Sequence, residues 1–376
     1  MKIDKIGARK ILNSKKDKTI FIRINGKFYG SAPSGTSKGR HEVSDYGRKG
    51  IDYAIKSLNK EKDILKKDFS SFEDLRFVEE KFSRLGGNTI IALESALLKF
   101  MSNNNVWEFL NPNAKKLPRP LGNVIGGGLH VKGNSPDIQE FLLMPMSTHF
   151  SENKKAMDSI YFKVGKKLHH PKKTAESAYS PNMPNVEVLD LLKNVIEEAN
   201  FEFNFPIHIG LDMASTSFYK HGFYNYKNFS PRIKNKKLDR NTQIKYVNSL
   251  IEAYDLRYVE DPLYEEDFNG FSRIKGSLVC GDDLICTDIQ RLKKAKINSV
   301  IIKPNQIGSL IKTKEIIDYC KSKDIVPVIS HRSGETNDVL ISHLAVAWKV
   351  PFIKTGIMGK ERIAKLNELI KIEKEI

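Results

Sequence analysis

From residue 206 onward, short apolar runs recur and each closes on a charged or polar side chain: PIHIGLD on Asp212, LRYVE on Glu260, SLVCGD on Asp282, SVIIK on Lys303, VPVISH on His331 and VPFIK on Lys354. After Glu260 the intervals are 22, 21, 28 and 23 residues, each about the length of one strand, one helix and two loops, as a closed parallel barrel requires. The 48-residue interval from Asp212 to Glu260 contains FYKHGFYNYKNFSPRIKNKK, an added excursion before the next helix. In such barrels the side chains at the carboxyl ends of the strands converge on one face, so six polar strand ends specify a candidate active site.

The first hundred residues have another texture. Strand-like runs (TIFIRI, KFYGSA) precede helical patterns at Val78 to Leu85 and Ile90 to Ser102, an α+β arrangement. Proline and polar residues break the periodicity at Asn111 to Pro120. The predicted organisation is therefore an α/β protein with an N-terminal α+β capping domain over residues 1–115 and a TIM-like β/α barrel over 116–376. A 40% hydrophobic content over 376 residues suffices for a sizeable core. The N-terminus MKIDKIGARKILNSKKDK has no apolar stretch after its basic residues, and no apolar run approaches the ~18 residues of a spanning helix, so a cytoplasmic protein is expected. Cys280, Cys286 and Cys320 show no C-x-x-C spacing and are expected to be buried thiols.

The chemistry follows from residue type. Asp212, Glu260 and Asp282 supply hard oxygen ligands on rigid strand ends, which suits Mg²⁺, and no histidine or cysteine within the set argues for zinc. Taken singly, such an acid is as readily a helix N-cap, with Asp282 and Asp283 before LICTDIQRL as the example. Three acids, two lysines and a histidine at matching places in consecutive units weigh against that. Close cations beside a metal depress one another's pKa, so Lys303 or Lys354 can serve as a neutral general base. Ser330-His331-Arg332-Ser333-Gly334 puts an arginine fork, a hydroxyl and backbone amides at an expected helix start, an arrangement that suits a phosphate. Together these describe proton abstraction next to a carboxylate, with metal stabilisation of the enolate.

In order along nearly the whole chain, the motifs resemble those of the enolase family, for which a lysine base beside magnesium is a known arrangement rather than a deduction from this sequence. Ala32-Pro33-Ser34-Gly35-Thr36-Ser37-Lys38-Gly39 resembles the family's mobile Ser-Gly-Ala-Ser-Thr-Gly loop, and Leu85-Gly86-Gly87-Asn88-Thr89-Ile90 its Leu-Gly-Ala-Asn-Ala-Ile helix start. Asn123 to His130 and Gln139-Glu140-Phe141 fit its opening strands, and Gly210 to Ser215, Val259 to Pro262, Gly281 to Leu284, Lys303 to Gly308, Ser330 to Thr336 and Ile353 to Gly356 follow in turn. The most specific is His331-Arg332-Ser333-Gly334-Glu335-Thr336.

Position by position, the resemblance implies that Asp212, Glu260 and Asp282 bind one Mg²⁺ while Ser37 closes over a second that bridges the substrate phosphate. It implies that Lys303 takes the C2 proton of 2-phosphoglycerate and that Glu176, supported by Glu140, protonates the departing 3-hydroxyl. His130 lines the mobile side of the pocket, Gln139 and His331 join the substrate contacts, Arg332 and Ser333 hold the phosphate, and Lys354 faces the carboxylate. A homo-oligomer, at least dimeric, is implied as well.

The chain departs from the family where Asp-Glu-Gly-Gly-Phe-Ala-Pro-Asn reads Ala175-Glu176-Ser177-Ala178-Tyr179-Ser180-Pro181-Asn182, which keeps the acid and loses both glycines. It is also shorter than typical members. Two alternatives stand beside the resemblance. A superfamily relative acting on another carboxylate commonly carries Lys-x-Lys on the second barrel strand, and the Glu176 region supplies none. A non-catalytic paralogue binding RNA or protein draws on the net charge of +17, which favours anionic partners. The densest basic stretches, Lys166 to Lys173 and Arg232 to Arg240, interleave no aromatics in the manner of a single-strand groove; a solvated surface is the preferred reading.

Overall fold

The computed structural model describes residues 2–35, 39–61, 63–169 and 171–376. The expected metal contact at Ser37, and His170 within the first basic stretch, lie outside the described residues.

Strands β1 (Ile6–Leu12), β2 (Lys18–Ile24) and β3 (Phe28–Ser31) form an antiparallel sheet in chain order. In β2, Ile20, Ile22 and Ile24 point inward, while Phe21 on the other face carries the Arg9 guanidinium 4.6 Å from its ring centre. This is the period-2 pattern of a half-buried sheet. Against the inner face lies the helix Gly87–Met101, buried at every position. Gly30 in β3 makes that contact possible, because a Cβ there would come within 2.1 Å of the Ala92 carbonyl oxygen. The helices expected from Val78 and Ile90 are present at Arg76–Phe82 and Gly87–Met101.

The rest of the chain builds a closed eight-stranded barrel from β4 (Arg119–Gly126), β5 (Glu140–Pro145), β6 (Ile207–Asp212) and five later strands, with the excursion after Asp212 folded as a separate small sheet of β7 (Tyr219–Lys220), β8 (Phe223–Tyr226) and β9 (Lys236–Leu238). The barrel continues with β10 (Tyr258–Glu260), β11 (Leu278–Gly281), β12 (Ser299–Ile302), β13 (Val326–Ser330) and β14 (Phe352–Gly356), which closes on β4. Its interior is filled by side chains that include Leu121, Leu142, Tyr258, Cys280, Ile301, Val328 and Phe352, so it is a packed core and not a channel. The three cysteines are free and buried. Among the described residues no helix is long and apolar enough to cross a membrane.

The expectation of a wholly parallel barrel is corrected at one strand: β5 runs antiparallel to both β4 and β6. The connection from β4 to β5 holds only a short 3₁₀ turn at Gly128–His130, with no crossover helix to return the chain to the starting end, and a parallel neighbour needs one. Two helices, Phe150–Lys167 and Asn185–Asn200, then run between β5 and β6. The reversal has a functional consequence. Glu140 begins its strand, yet pairs in register with Asp212, which ends its own, so both reach the same rim.

The N-terminal sheet is joined to the barrel through the segment after β13. Ser34 and Gly334 exchange backbone hydrogen bonds at 2.8 Å. The buried Asp338 carboxylate accepts from the Ser31 amide (3.0 Å), the Ser95 hydroxyl (2.9 Å) and Lys99 Nζ (2.8 Å). Burial pushes the Asp338 pKa up, but Lys99 and the amides outweigh it and hold it below the usual carboxylate range. Removing the cation leaves a buried, uncompensated charge, so Lys99→Ala should lower the unfolding free energy by about 3–5 kcal/mol in urea titration at neutral pH. Because the folded pKa lies below the unfolded value of about 3.9, this contribution is present above about pH 4 and disappears as the pH falls through the lower folded value. The gap between wild type and variant should therefore narrow in acid.

Candidate active site

The six polar strand ends converge as the spacing predicts. One cavity of about 50 Å³ at the barrel rim is lined by His130, Gln139, Glu140, Glu176, Asp212, Asp282, Lys303, His331, Arg332, Ser333 and Lys354. Glu260 lies immediately behind it, fully buried.

The cations on this rim sit among the acids. Lys354 Nζ donates to Asp212 Oδ2 at 2.7 Å and Glu260 Oε2 at 2.8 Å, and stands 3.2 Å from Glu140 Oε2. Burial opposes its charge, yet Asp212, Glu140 and Glu260 outweigh burial and hold its pKa well above the ordinary lysine value. Lys354 therefore faces carboxylates of the protein itself here, where the sequence places it against a substrate carboxylate. Lys303 is ion-paired with Asp282. Burial, Arg332 and Lys354 act in the expected depressing direction, but Asp282 prevails and raises its pKa. The neutral lysine base expected from cation crowding is an ammonium in this arrangement.

The acids divide their protons unequally. Burial and its carboxylate neighbours push Glu140 well above the usual range against the pull of Lys354. Burial pushes Glu176 up as well, but His130, Arg362 and Lys354 outweigh it and hold this carboxyl below the usual range. The surroundings thus favour the charged form of Glu176 and the neutral form of Glu140. The half-buried His130 ring lies between them, Nδ1 3.8 Å from Glu140 Oε1 and Nε2 4.0 Å from Glu176 Oε1. Burial lowers the His331 pKa well below the ordinary value, leaving a neutral ring 3.7 Å from Glu176 Oε2.

The donor set fits a hard divalent cation. Glu260 Oε1 is buried with no hydrogen-bond partner, and burial, followed by Asp212, pushes this carboxyl up to about 8. An orphaned buried oxygen beside further carboxylates is costly until a cation satisfies it. Among the described residues, the ligand atoms that lie within 4.8 Å of one another are those of Asp261, Asp282 and Asp283 and of His130, Glu140 and Glu176; Asp212 and Glu260 are held by Lys354 instead.

Asp261, Asp283, Glu42, Asn305 and Gln306 also belong to this rim and were not singled out as site residues in the sequence. Strand alternation turns the neighbour of a rim residue away, which makes Asp261 easy to discount. Its backbone, at φ 40°, leaves the strand and brings its carboxylate under the amides of Asp282 (3.0 Å) and Asp283 (2.7 Å). The capping role considered for Asp282 falls to Asp288, which accepts from the Gln290 and Arg291 amides. The helix start expected at Ser330 to Gly334 is also corrected. Ser330 ends β13 and the residues after it are loop, the next helix being Leu340–Ala347, and the Arg332 amide donates to Glu335 Oε1 at 3.0 Å. The Glu335 carboxylate near this amide gives the segment its own hydrogen-bonded turn.

A family model described as the enolase C-terminal TIM barrel domain matches residues 114–376. The enolases of Methanosphaera stadtmanae and Methanothermobacter thermautotrophicus are each 36% identical to this protein, over 100% of its chain and 97% of theirs. The enolase of Picrophilus torridus is 36% identical over 98% and 97%. The chain belongs to the enolase family. Those three alignments run over 403 to 408 positions, more than the 376 residues here, so these relatives carry segments that this enolase-family chain lacks.

The altered loop around Glu176 keeps a backbone that suits glycine. Ser177, at a position where the family motif has glycine, adopts φ 64°, held by its amide to the Thr174 carbonyl (2.9 Å) and by the Tyr161 hydroxyl donating to its own carbonyl (2.6 Å). A left-handed serine costs about 1–2 kcal/mol, offset in part by the entropy that glycine would lose. Ser177→Gly should raise the unfolding free energy by up to about 1 kcal/mol in chemical denaturation. A loss of stability would show that the serine side chain is needed there.

Proposed function

We propose that this protein is a magnesium-dependent hydro-lyase that converts 2-phosphoglycerate to phosphoenolpyruvate and water, a reaction of glycolysis and gluconeogenesis. Family membership supports the reaction. The observation in the molecule that carries the reading is the convergence of two lysines, seven carboxylates and Arg332 on one cavity. On this reading Asp212, Glu260 and Asp282 hold Mg²⁺, and Ser37 with the substrate phosphate holds a second ion. Bound magnesium supplies charge stabilisation to the developing enolate.

Lys303 is the base for the C2 proton. Asp282 is the contact that raises the Lys303 pKa, so a cation that drew this carboxylate away would favour the neutral base, its proton passing to solvent. Glu176, supported by Glu140, protonates the departing 3-hydroxyl, with the His130 ring between the two carboxyls. Arg332 and Ser333 receive the phosphate; Gln139, His331 and Lys354 orient the carboxylate end. The first 115 residues form a capping domain and the remainder the catalytic barrel. Free buried cysteines agree with a reducing, cytoplasmic setting, and a homo-oligomer is the expected assembly.

The test is formation of phosphoenolpyruvate, followed by absorbance with and without Mg²⁺. Lys303→Ala and Glu176→Gln should each lower kcat by about 10²–10⁴. A wild-type chain that turns over no 2-phosphoglycerate at saturating magnesium overturns the assignment. Asp282→Asn removes a charged ligand and should weaken magnesium binding by calorimetry; unchanged affinity would show that the metal set is misplaced.

A further inference from the structure

We propose that Glu42 is a positioning residue for phosphate recognition, its buried carboxylate holding the Arg332 guanidinium in its receiving orientation and coupling the seating of residues 39–42 to phosphate affinity. The proposal rests on the reading of Arg332 as the phosphate clamp.

Arg332 and Glu42 form a two-pronged ion pair, Nη1 to Oε2 at 2.9 Å and Nη2 to Oε1 at 3.0 Å, with both side chains only 4% exposed. Both residues line the rim cavity. Planar, paired contacts of this kind fix direction as well as charge. Arg332 shares this rim with Lys303 and Lys354, and without Glu42 these like charges would drive the guanidinium outward. Asn305 Oδ1 accepts from Arg332 Nη1 at 3.2 Å and steadies the same edge.

Glu42 is in turn held in place. Its Oε1 accepts from the Gly39 amide at 3.0 Å and from Gln306 Nε2 at 3.4 Å, and that same nitrogen donates to Asp282 Oδ1 at 3.2 Å. Gln306 therefore links the carboxylate facing the arginine to an acid of the expected metal set. The two preceding residues are paired to a different part of the barrel rim: Arg40 with Glu265 at 3.1 Å and His41 with Glu266 at 3.0 Å. In each of those pairs at least one partner stays open to solvent, which limits what the pair contributes, whereas both side chains of the Glu42 pair are buried. Gly39 lies so close to the barrel that a Cβ would meet Cys286 Sγ at 2.4 Å. Residues 39–42 thus reach the rim as a seated segment, and the guanidinium receives its orientation from them.

A purely structural ion pair would affect folding or all ligands alike, whereas a positioning role is specific to the phosphate. The experiment compares wild type with Glu42→Gln, which keeps the shape and removes the charge, and Glu42→Asp, which keeps the charge on a shorter arm. Binding of inorganic phosphate and of glycerate, the acid without its phosphate, is measured by calorimetry with magnesium present, together with steady-state kinetics and thermal midpoints. Glu42→Gln should weaken phosphate binding and raise KM for 2-phosphoglycerate by about tenfold, with kcat within about threefold and glycerate binding unchanged. Glu42→Asp should recover part of the loss. Phosphate binding as tight as in wild type, or equal weakening of phosphate and glycerate, overturns the proposal. If wild type binds phosphate through this pair yet converts no 2-phosphoglycerate, the enolase reaction fails while the role of Glu42 stands.

Discussion

A single ammonium group, Lys354 Nζ, stands between Asp212, Glu260 and Glu140 where three neighbouring barrel strands meet. Three buried carboxylates at this spacing cannot all ionise without a cation among them. The barrel brings them together regardless, because their backbone positions are fixed by strand register: Glu140 opposite Asp212, and Glu260 opposite Asp212 on the other side. Lys354 is delivered by β14, which is separated from all three of these strands in the barrel, so the compensation reaches across the barrel mouth. The second ion pair, Lys303 with Asp282, repeats this on the next pair of strands. Each of these lysines is thus paired with rim acids, although the acids of the rim outnumber its cations.

Much of this was legible in the sequence. Runs that are apolar up to a final charged residue report both a buried strand and the side at which it emerges, and six of them in series leave few folds open. The resemblance to enolases added Glu176, Glu140, His130, Gln139 and the phosphate side, and these meet in one cavity. The reversed strand was not legible, because a buried strand reads the same in either direction and only the absence of a helix between His130 and Glu140 marks it. Asp261 and Glu42 were hidden for different reasons. One depends on a left-handed turn that an aspartate does not announce, and the other acts through a partner 290 residues away.

Charge state was the least readable property. The residues flanking Lys303 in space are mostly cations or acids according to which shell is counted, and the outcome was decided by one direct contact with Asp282. Likewise, sequence offers no means of telling which of Glu140 and Glu176 keeps a proton. The difference arises from His130 and Arg362 on the Glu176 side against the acid neighbours on the Glu140 side.

The join at Asp338 bears on what the two architectural parts are as folding units. Its carboxylate takes hydrogen bonds from the edge strand β3 and from Ser95 and Lys99 on the helix packed beneath that sheet. A barrel cut free near residue 116 would keep this acid and lose all three partners, together with the surface that meets Ser34. The barrel is closed by its own strands, yet three of the four donors to one of its interior charges are encoded in the first hundred residues.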